Sequence, residues 1–193
     1  MPVDSVGRRS AQSAMFRIAE AFARWVAPFL SFTADEIWQH LPGGREGNVL
    51  FTTWYDGLAP MPAGAALAPA DFDRLLAMRE AVSKVLEPMR ADGAIGASLE
   101  AEVEVFVEHD LAAKLAPMAD ELRFFFITSR FDLKPVPVEP REGAWIHAVS
   151  TAHAKCVRCW HYRADVGSHA DDPGLCGRCV ENVNGAGETR RWF

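Results

Sequence analysis

The chain has 193 residues, 49% of them hydrophobic and 24% charged, with 12 Pro and 14 Gly. That is the make-up of a soluble globular protein, long enough for one large or two small domains. The formal net charge of −6 excludes a generally basic nucleic-acid binder, but six of the 20 Lys/Arg and five of the 26 Asp/Glu lie from Lys155 onward, which leaves the body at −7 and the tail at +1.

Residues 1–9, with Pro2 and Gly7, read as an extended lead-in without the basic start and apolar core of a signal peptide. Ser10 is placed to cap a helix in which Ala14, Ile18, Ala21, Phe22, Trp25 and Phe29 recur at three- and four-residue steps, with its end marked by Pro28 and Ser31. Arg17, Glu20 and Arg24 exclude this segment as a membrane span, so a cytoplasmic protein is expected. Thr33-Ala34-Asp35-Glu36 spells a capping box for a second, short helix that carries Ile37 and Trp38 and stops before Pro42. Packing between helices is the simplest use of these aromatics. Val49–Tyr55 is short and β-prone, and the proline- and alanine-rich stretch 59–70 reads as a linker.

Asp71 or Asp73 should start a helix whose apolar face carries Leu75, Leu76, Met78, Val82, Val85, Leu86 and Met89, with Pro88 kinking or ending it. Gly93 and Gly96 close that unit. From Leu99 to Glu108 the sequence alternates, with Leu99, Ala101, Val103, Val105 and Val107 inward, as in a half-buried strand. Its glutamates at 100, 102, 104 and 108 read as a solvated face, not as paired catalytic carboxylates. A helix over 110–122, a buried strand Leu122–Thr128, a proline-rich turn Pro135–Gly143 and a strand Trp145–Val149 complete a small α+β unit. No phosphate-cradling glycine loop, Gly-x-Ser-x-Gly elbow or His-Glu-x-x-His helix occurs.

All four cysteines lie in the tail, as Cys156-x2-Cys159, sixteen residues, and Cys176-x2-Cys179. Two such pairs across a loop of that length are the pattern of a four-thiolate zinc site. Disulfides do not suit a reduced compartment, and a redox Cys-x2-Cys comes singly beside a βαβ unit. A catalytic zinc needs an open position that four cysteines close, so the ion is structural. Gly177 is expected to supply a positive-φ turn inside the second pair. Trp160 and His161 follow the first pair, with Arg158, Arg163 and Arg178 nearby, and Arg190-Arg191-Trp192 brings cations and an aromatic together again. Arginines contact phosphates, and unstacked bases stack on aromatic or guanidinium planes. Trp160 and Trp192 have a second use open to them, packing over the zinc site. His153, His161 and His169 lie near the cysteines and could substitute as ligands, but four cysteines already suffice.

The run Lys155-Cys156-Val157-Arg158-Cys159-Trp160-His161-Tyr162, with Cys176-Gly177-Arg178-Cys179-Val180 and Gly187-Glu188-Thr189-Arg190-Arg191-Trp192-Phe193, resembles the C-terminal zinc motif of bacterial isoleucyl-tRNA synthetases. Pro28-Phe29-Leu30-Ser31-Phe32-Thr33-Ala34-Asp35-Glu36-Ile37-Trp38 resembles the last helices of that family's anticodon-binding bundle, and Gly96–Ala101 and Asp120–Phe124 resemble its junction domain. The resemblance implies an α+β chain in three parts: the end of a helical bundle (1–58), then, after the linker 59–70, an α+β junction subdomain (71–152) and a four-cysteine zinc-binding tail (153–193). It implies a C-terminal portion of a monomeric ligase that joins isoleucine to its tRNA using ATP. The family's His-x-Gly-His and Lys-Met-Ser-Lys-Ser signatures are absent, so no catalytic residue is expected here. The expected cofactor is one zinc on Cys156, Cys159, Cys176 and Cys179, and the expected partners are isoleucine tRNA and the remainder of the synthetase, with no membrane. Arg158, Trp160, His161, Arg163, Arg178, Arg190, Arg191 and Trp192 are the candidate RNA contacts. Two other readings stand: a brace within the synthetase that touches no RNA, and a DNA glycosylase with a similar four-cysteine finger. The second lacks its N-terminal proline-glutamate start and a basic body.

Overall fold

Helix α1 (Val6–Val26) starts at Ser5, whose hydroxyl accepts the Arg8 N–H at 3.3 Å, so Ser10 lies inside the helix and does not cap it. Its aromatic stripe is not its buried side. Glu20, Ala21, Ala23 and Ala27 are buried, whereas Ile18, Phe22 and Trp25 are about half exposed and Phe29 is 84% exposed. The small alanines admit the ring of Trp38 from helix α2 (Ser31–His40), and the packing forms there. The chain turns straight out of α1 into α2: Leu30 N–H donates to the Val26 carbonyl at 2.8 Å and the Ser31 hydroxyl to that of Ala27 at 3.0 Å. Thr33 and Glu36 therefore sit within α2 and make no capping box. Val49–Tyr55 is not a strand either. The Asn48 side chain accepts the Leu50 N–H at 2.9 Å and folds Val49–Phe51 into a 3₁₀ turn, with Val49 buried beside Trp38. Burial alone would raise the Glu20 carboxyl, but Arg24 and Arg45 outweigh it and hold the group below its ordinary range. Their guanidiniums lie 4.6 and 4.4 Å from the Trp38 ring centre.

The computed structural model describes residues 1–136 and 145–192, in two units. One is Val3–Ala63, and the other is Gly64–Phe193 with Met1–Pro2. In the second, α3 (Pro69–Ala91) begins before Asp71: Pro69 takes the first turn, where its missing N–H costs nothing, and the Asp71 carboxylate accepts the Ala68 N–H at 3.0 Å. The helix runs through Pro88 and stops at Ala91, and Gly93 turns the chain at φ +72°. Leu75, Met78, Val82 and Leu86 are buried against the sheet, while Leu76 faces out at 54% exposure.

Strand β1 (Ala101–Val107) alternates as its sequence requires, with Ala101, Val103, Val105 and Val107 buried. It is central in a sheet ordered β2–β1–β3, parallel to β2 (Arg130–Pro135) and antiparallel to β3 (Trp145–Ser150). Helix α4 (His109–Leu115), a 3₁₀ turn at Ala116–Met118 and helix α5 (Ala119–Phe126) cross from β1 to β2. The expected strand Leu122–Thr128 is thus mostly α5. Leu122 and Phe126, four apart, are its buried face, and Asp120 and Glu121 in the first turn suit a helix start. Ile127 then ends the helix at φ +56°. Residues 137–143 of the expected proline-rich turn lie outside the described residues. Helices on one face of a small sheet make the unit α+β. No helix among the described residues is long and apolar enough to cross a membrane.

Candidate metal centre and nucleic-acid interface

Strands β4 (Ala154–Lys155) and β5 (Tyr162–Arg163) form a two-stranded ribbon whose turn is the first cysteine knuckle. Cys156 N–H donates to the His161 carbonyl and Trp160 N–H to that of Cys156, both at 2.9 Å. The second knuckle opens helix α6 (Gly177–Asn184): Cys176 is its N-cap, and Cys179 N–H donates to the Cys176 carbonyl at 2.8 Å. The four sulfurs lie within 4.8 Å of one another, with Cys159 and Cys176 at 3.7 Å. A tetrahedron with Zn–S bonds of about 2.3 Å has edges of about 3.8 Å, so the donor set fits one zinc.

Cys156, Cys176 and Cys179 are buried, and no histidine joins the sulfur cluster among the described residues. Burial pushes the Cys176 thiol up to about 12, and the neighbouring Cys159 and Cys179 sulfurs add to it. Burial works against ionising Cys159 too, but hydrogen bonds from His161 and Arg178 bring it down to about 5. Four thiolates therefore need a cation among them. The Cys176 N–H to Cys156 Sγ (3.4 Å) and Arg158 Nη1 to Cys179 Sγ (3.6 Å) contacts take up part of the remaining charge. Four sulfur ligands leave no open position, so this is a structural zinc.

The knuckle's left-handed residue is Trp160, at φ +67°, and not Gly177. Gly177 is required for close approach instead. Its N–H donates to Asp165 Oδ2 at 2.9 Å, and a Cβ there would stand 2.9 Å from that oxygen and 3.2 Å from His169 Nε2.

The zinc module rests on Phe124 of α5. The His161 ring meets it edge-on at 5.6 Å, and the guanidiniums of Arg190, Arg123 and Arg178 lie 3.5, 4.6 and 5.0 Å from its centre. Arg178 Nη1 donates to both oxygens of Glu188 at 3.0 and 3.2 Å, and Arg190 Nε is 3.5 Å from the same carboxylate. Glu121 accepts the backbone N–H groups of Arg191 and Trp192, each at 3.0 Å, and so straps the tail to α5.

The anticodon-binding domain of tRNA ligase family matches residues 1–105, more than half the chain. The chain belongs to this anticodon-binding family. Within the family's match lie α1, α2, α3 and most of β1. A zinc finger found in FPG and IleRS matches residues 155–182, the span of both knuckles. Over all 193 residues the chain is 63% identical to an isoleucine–tRNA ligase of Stenotrophomonas maltophilia, 59% to one of Xanthomonas campestris and 57% to one of Xylella fastidiosa. It spans 20% of the length of each of these relatives.

In this anticodon-binding chain the eight residues proposed for RNA contact divide into two groups. His161, Arg178 and Arg190 turn inward onto Phe124, with both arginines also on Glu188. Trp160 faces out at 60% exposure with Lys155 Nζ 5.5 Å above its ring, Trp192 is 40% exposed, and Arg158 and Arg191 are exposed. Arg163, 39% exposed, borders a groove with Arg123. Sequence reasoning missed Phe124, Glu121 and Glu188 as the seat of the module. Read as a buried strand, the run around Phe124 gave no sign that its ring serves the tail. Lys155 carried a usable signal: it lies one residue outside the first pair and points the same way as Trp160.

Proposed function

We propose that this chain is the part of an isoleucine–tRNA ligase that grips the anticodon arm of isoleucine tRNA, while the rest of the synthetase joins isoleucine to that tRNA using ATP. The observation that carries it is the exposed Trp160 ring beneath Lys155 on a zinc-ordered ribbon that also bears Arg158 and Arg163. Unpaired anticodon-loop bases stack on such a ring, and the flanking cations meet phosphates. Arg191 and Trp192, strapped to α5 through Glu121, are further exposed candidates for RNA contact. His161, Arg178 and Arg190 brace the module on Phe124 and act on the RNA only by holding its neighbours in place. The zinc keeps both knuckles folded and takes no chemical part. The zinc-finger match alone is shared with FPG proteins, but the anticodon-domain match and the whole-chain identity support the ligase reading.

Titrating isoleucine tRNA against the zinc-loaded chain, the chelated chain and the Cys176→Ser variant tests this. Binding that weakens at least tenfold in the last two supports it; equal affinity in all three removes the zinc-ordered grip. The chain alone should show no isoleucine-dependent ATP–pyrophosphate exchange, and measurable exchange would place catalytic residues within it.

A further inference from the structure

A groove of about 430 Å³ opens between α5, the edge strand β2 and the zinc ribbon, with Asp120, Arg123, Arg130, Asp132, Lys134 and Arg163 on its walls. These cations are not equally engaged. Arg130 Nη2 pairs with Asp132 at 2.6 Å, and Lys134 pairs with Glu104. The first pair lies along β2 and the second crosses to β1; charged pairs of this kind are what an exposed sheet edge carries to stay solvated, and they need no ligand. Arg123 and Arg163 differ. Arg163 Nε stands 3.7 Å from Asp165, too far for a hydrogen bond. Arg123 Nη1 donates to the Asp120 carbonyl at 2.6 Å, and its guanidinium enters no ion pair among the described residues.

Arg123 is also set among its own kind. Burial and then the fields of Arg163, Arg178 and Arg190 hold its pKa below the ordinary arginine value. Like charges gathered at a half-buried position raise the energy of the empty site, and an anion there relieves it. The place is built, not accidental. The Ser129 hydroxyl donates to the Leu99 carbonyl and accepts the Tyr162 N–H at 2.6 Å, which pins the residue next to Arg163 to the start of β2.

We infer that this groove binds a phosphate of the RNA backbone, held between Arg123 on α5 and Arg163 on the zinc ribbon. The inference rests on the RNA-gripping reading above and extends the contact surface from the zinc module onto the junction sheet. Arg123 lies outside both matched family ranges. A phosphodiester suits the site better than a base does. Among the described residues the one aromatic on its wall, Phe131, is 6% exposed and stacked on Phe126 at 3.9 Å, so it has no face to offer.

The test uses the zinc-loaded chain with full-length isoleucine tRNA between 50 and 200 mM salt, comparing Arg123→Gln, Arg163→Gln and Trp160→Ala. Each arginine variant should weaken binding several-fold and lower the log–log salt slope by about 1, whereas Trp160→Ala should weaken binding and leave the slope alone. Because Arg123 packs on Phe124, zinc content and melting temperature are checked for each variant, and Arg163→Gln stands as the independent arm. RNA binding with an undiminished slope in both arginine variants overturns the groove and leaves the gripping function intact. Failure of the unmodified chain to bind tRNA overturns the gripping function instead. Arginine side-chain NMR signals of Arg123 and Arg163 that move with inorganic phosphate but not with tRNA overturn the assignment to RNA.

Discussion

Ile127 and Trp160 are the described residues other than glycine in the left-handed region, and they reach it for different reasons. Ile127 stops α5 at φ +56° so that β2 can begin three residues later. A β-branched residue there is strained by roughly 1–2 kcal/mol, and its side chain is 46% exposed, so little packing offsets the strain. Ile127→Asn should therefore raise the stability by about 1 kcal/mol, as urea unfolding would read. Trp160 turns the first knuckle with its ring outside. Trp160→Gly should keep zinc as tightly as before or tighter, while tRNA affinity falls by roughly 1–3 kcal/mol per stacked base lost; parallel loss of zinc would make the ring structural. Gly177→Ala should cost about 1–3 kcal/mol through the crowding of Asp165 and His169, seen as an earlier midpoint in chelator competition. The cysteine spacing was legible because ligand chemistry dictates it. The left-handed turn at Trp160 was not, because no residue type other than Gly or Asn advertises that conformation.

At the scale of elements, β1 was legible because it is half-buried over its whole length, which imposes alternation on the sequence. β2 was not. Only Phe131 of its six residues is buried, and its pairing with β1 comes from a partner nearly thirty residues upstream. The aromatic run before it combines a helical face with a sharp stop, and a short apolar run does not distinguish helix from strand by itself. The stripe on α1 misled for a related reason: helical period marks one side of a helix, but small alanines on another side made the closer contact with α2. Pro88 offers a clean test. It is exposed, lies inside α3 and removes a backbone donor, so Pro88→Ala should stabilise the chain by roughly 2 kcal/mol after the added freedom of the unfolded state is deducted. Thermal melting measures this, and a lowered melting temperature would show that the proline ring is needed where it is.

Across the whole molecule, the zinc module and the sheet core draw on different sources of order. The core from Leu75 to Phe131 is apolar side chains, whereas the tail has a small cluster of cysteines with Val166 and Leu175 against it. Removing zinc should strip amide-exchange protection from residues 154–192 and leave β1 protected. Acid should act on the tail in the same direction. Zinc is held by thiolates, so its affinity falls as pH falls. Burial would raise the Glu188 carboxyl, but Arg178 and Arg190 outweigh it and keep the group below its usual value. A depressed carboxyl gives stability that is full above the ordinary glutamate pKa and is lost as pH drops through the lower folded value. Limited proteolysis across that range should release the tail from α5 first, and Glu188→Gln should shift that release toward neutral pH.

The strap formed by Glu121 has a consequence for how such a tip can change over time. It grips amide groups of the main chain at 191 and 192, which every residue except proline supplies. Side chains at those two places can be exchanged without loss of the bonds that hold the peptide bearing them, so the exposed residues there can vary while their mounting stays fixed.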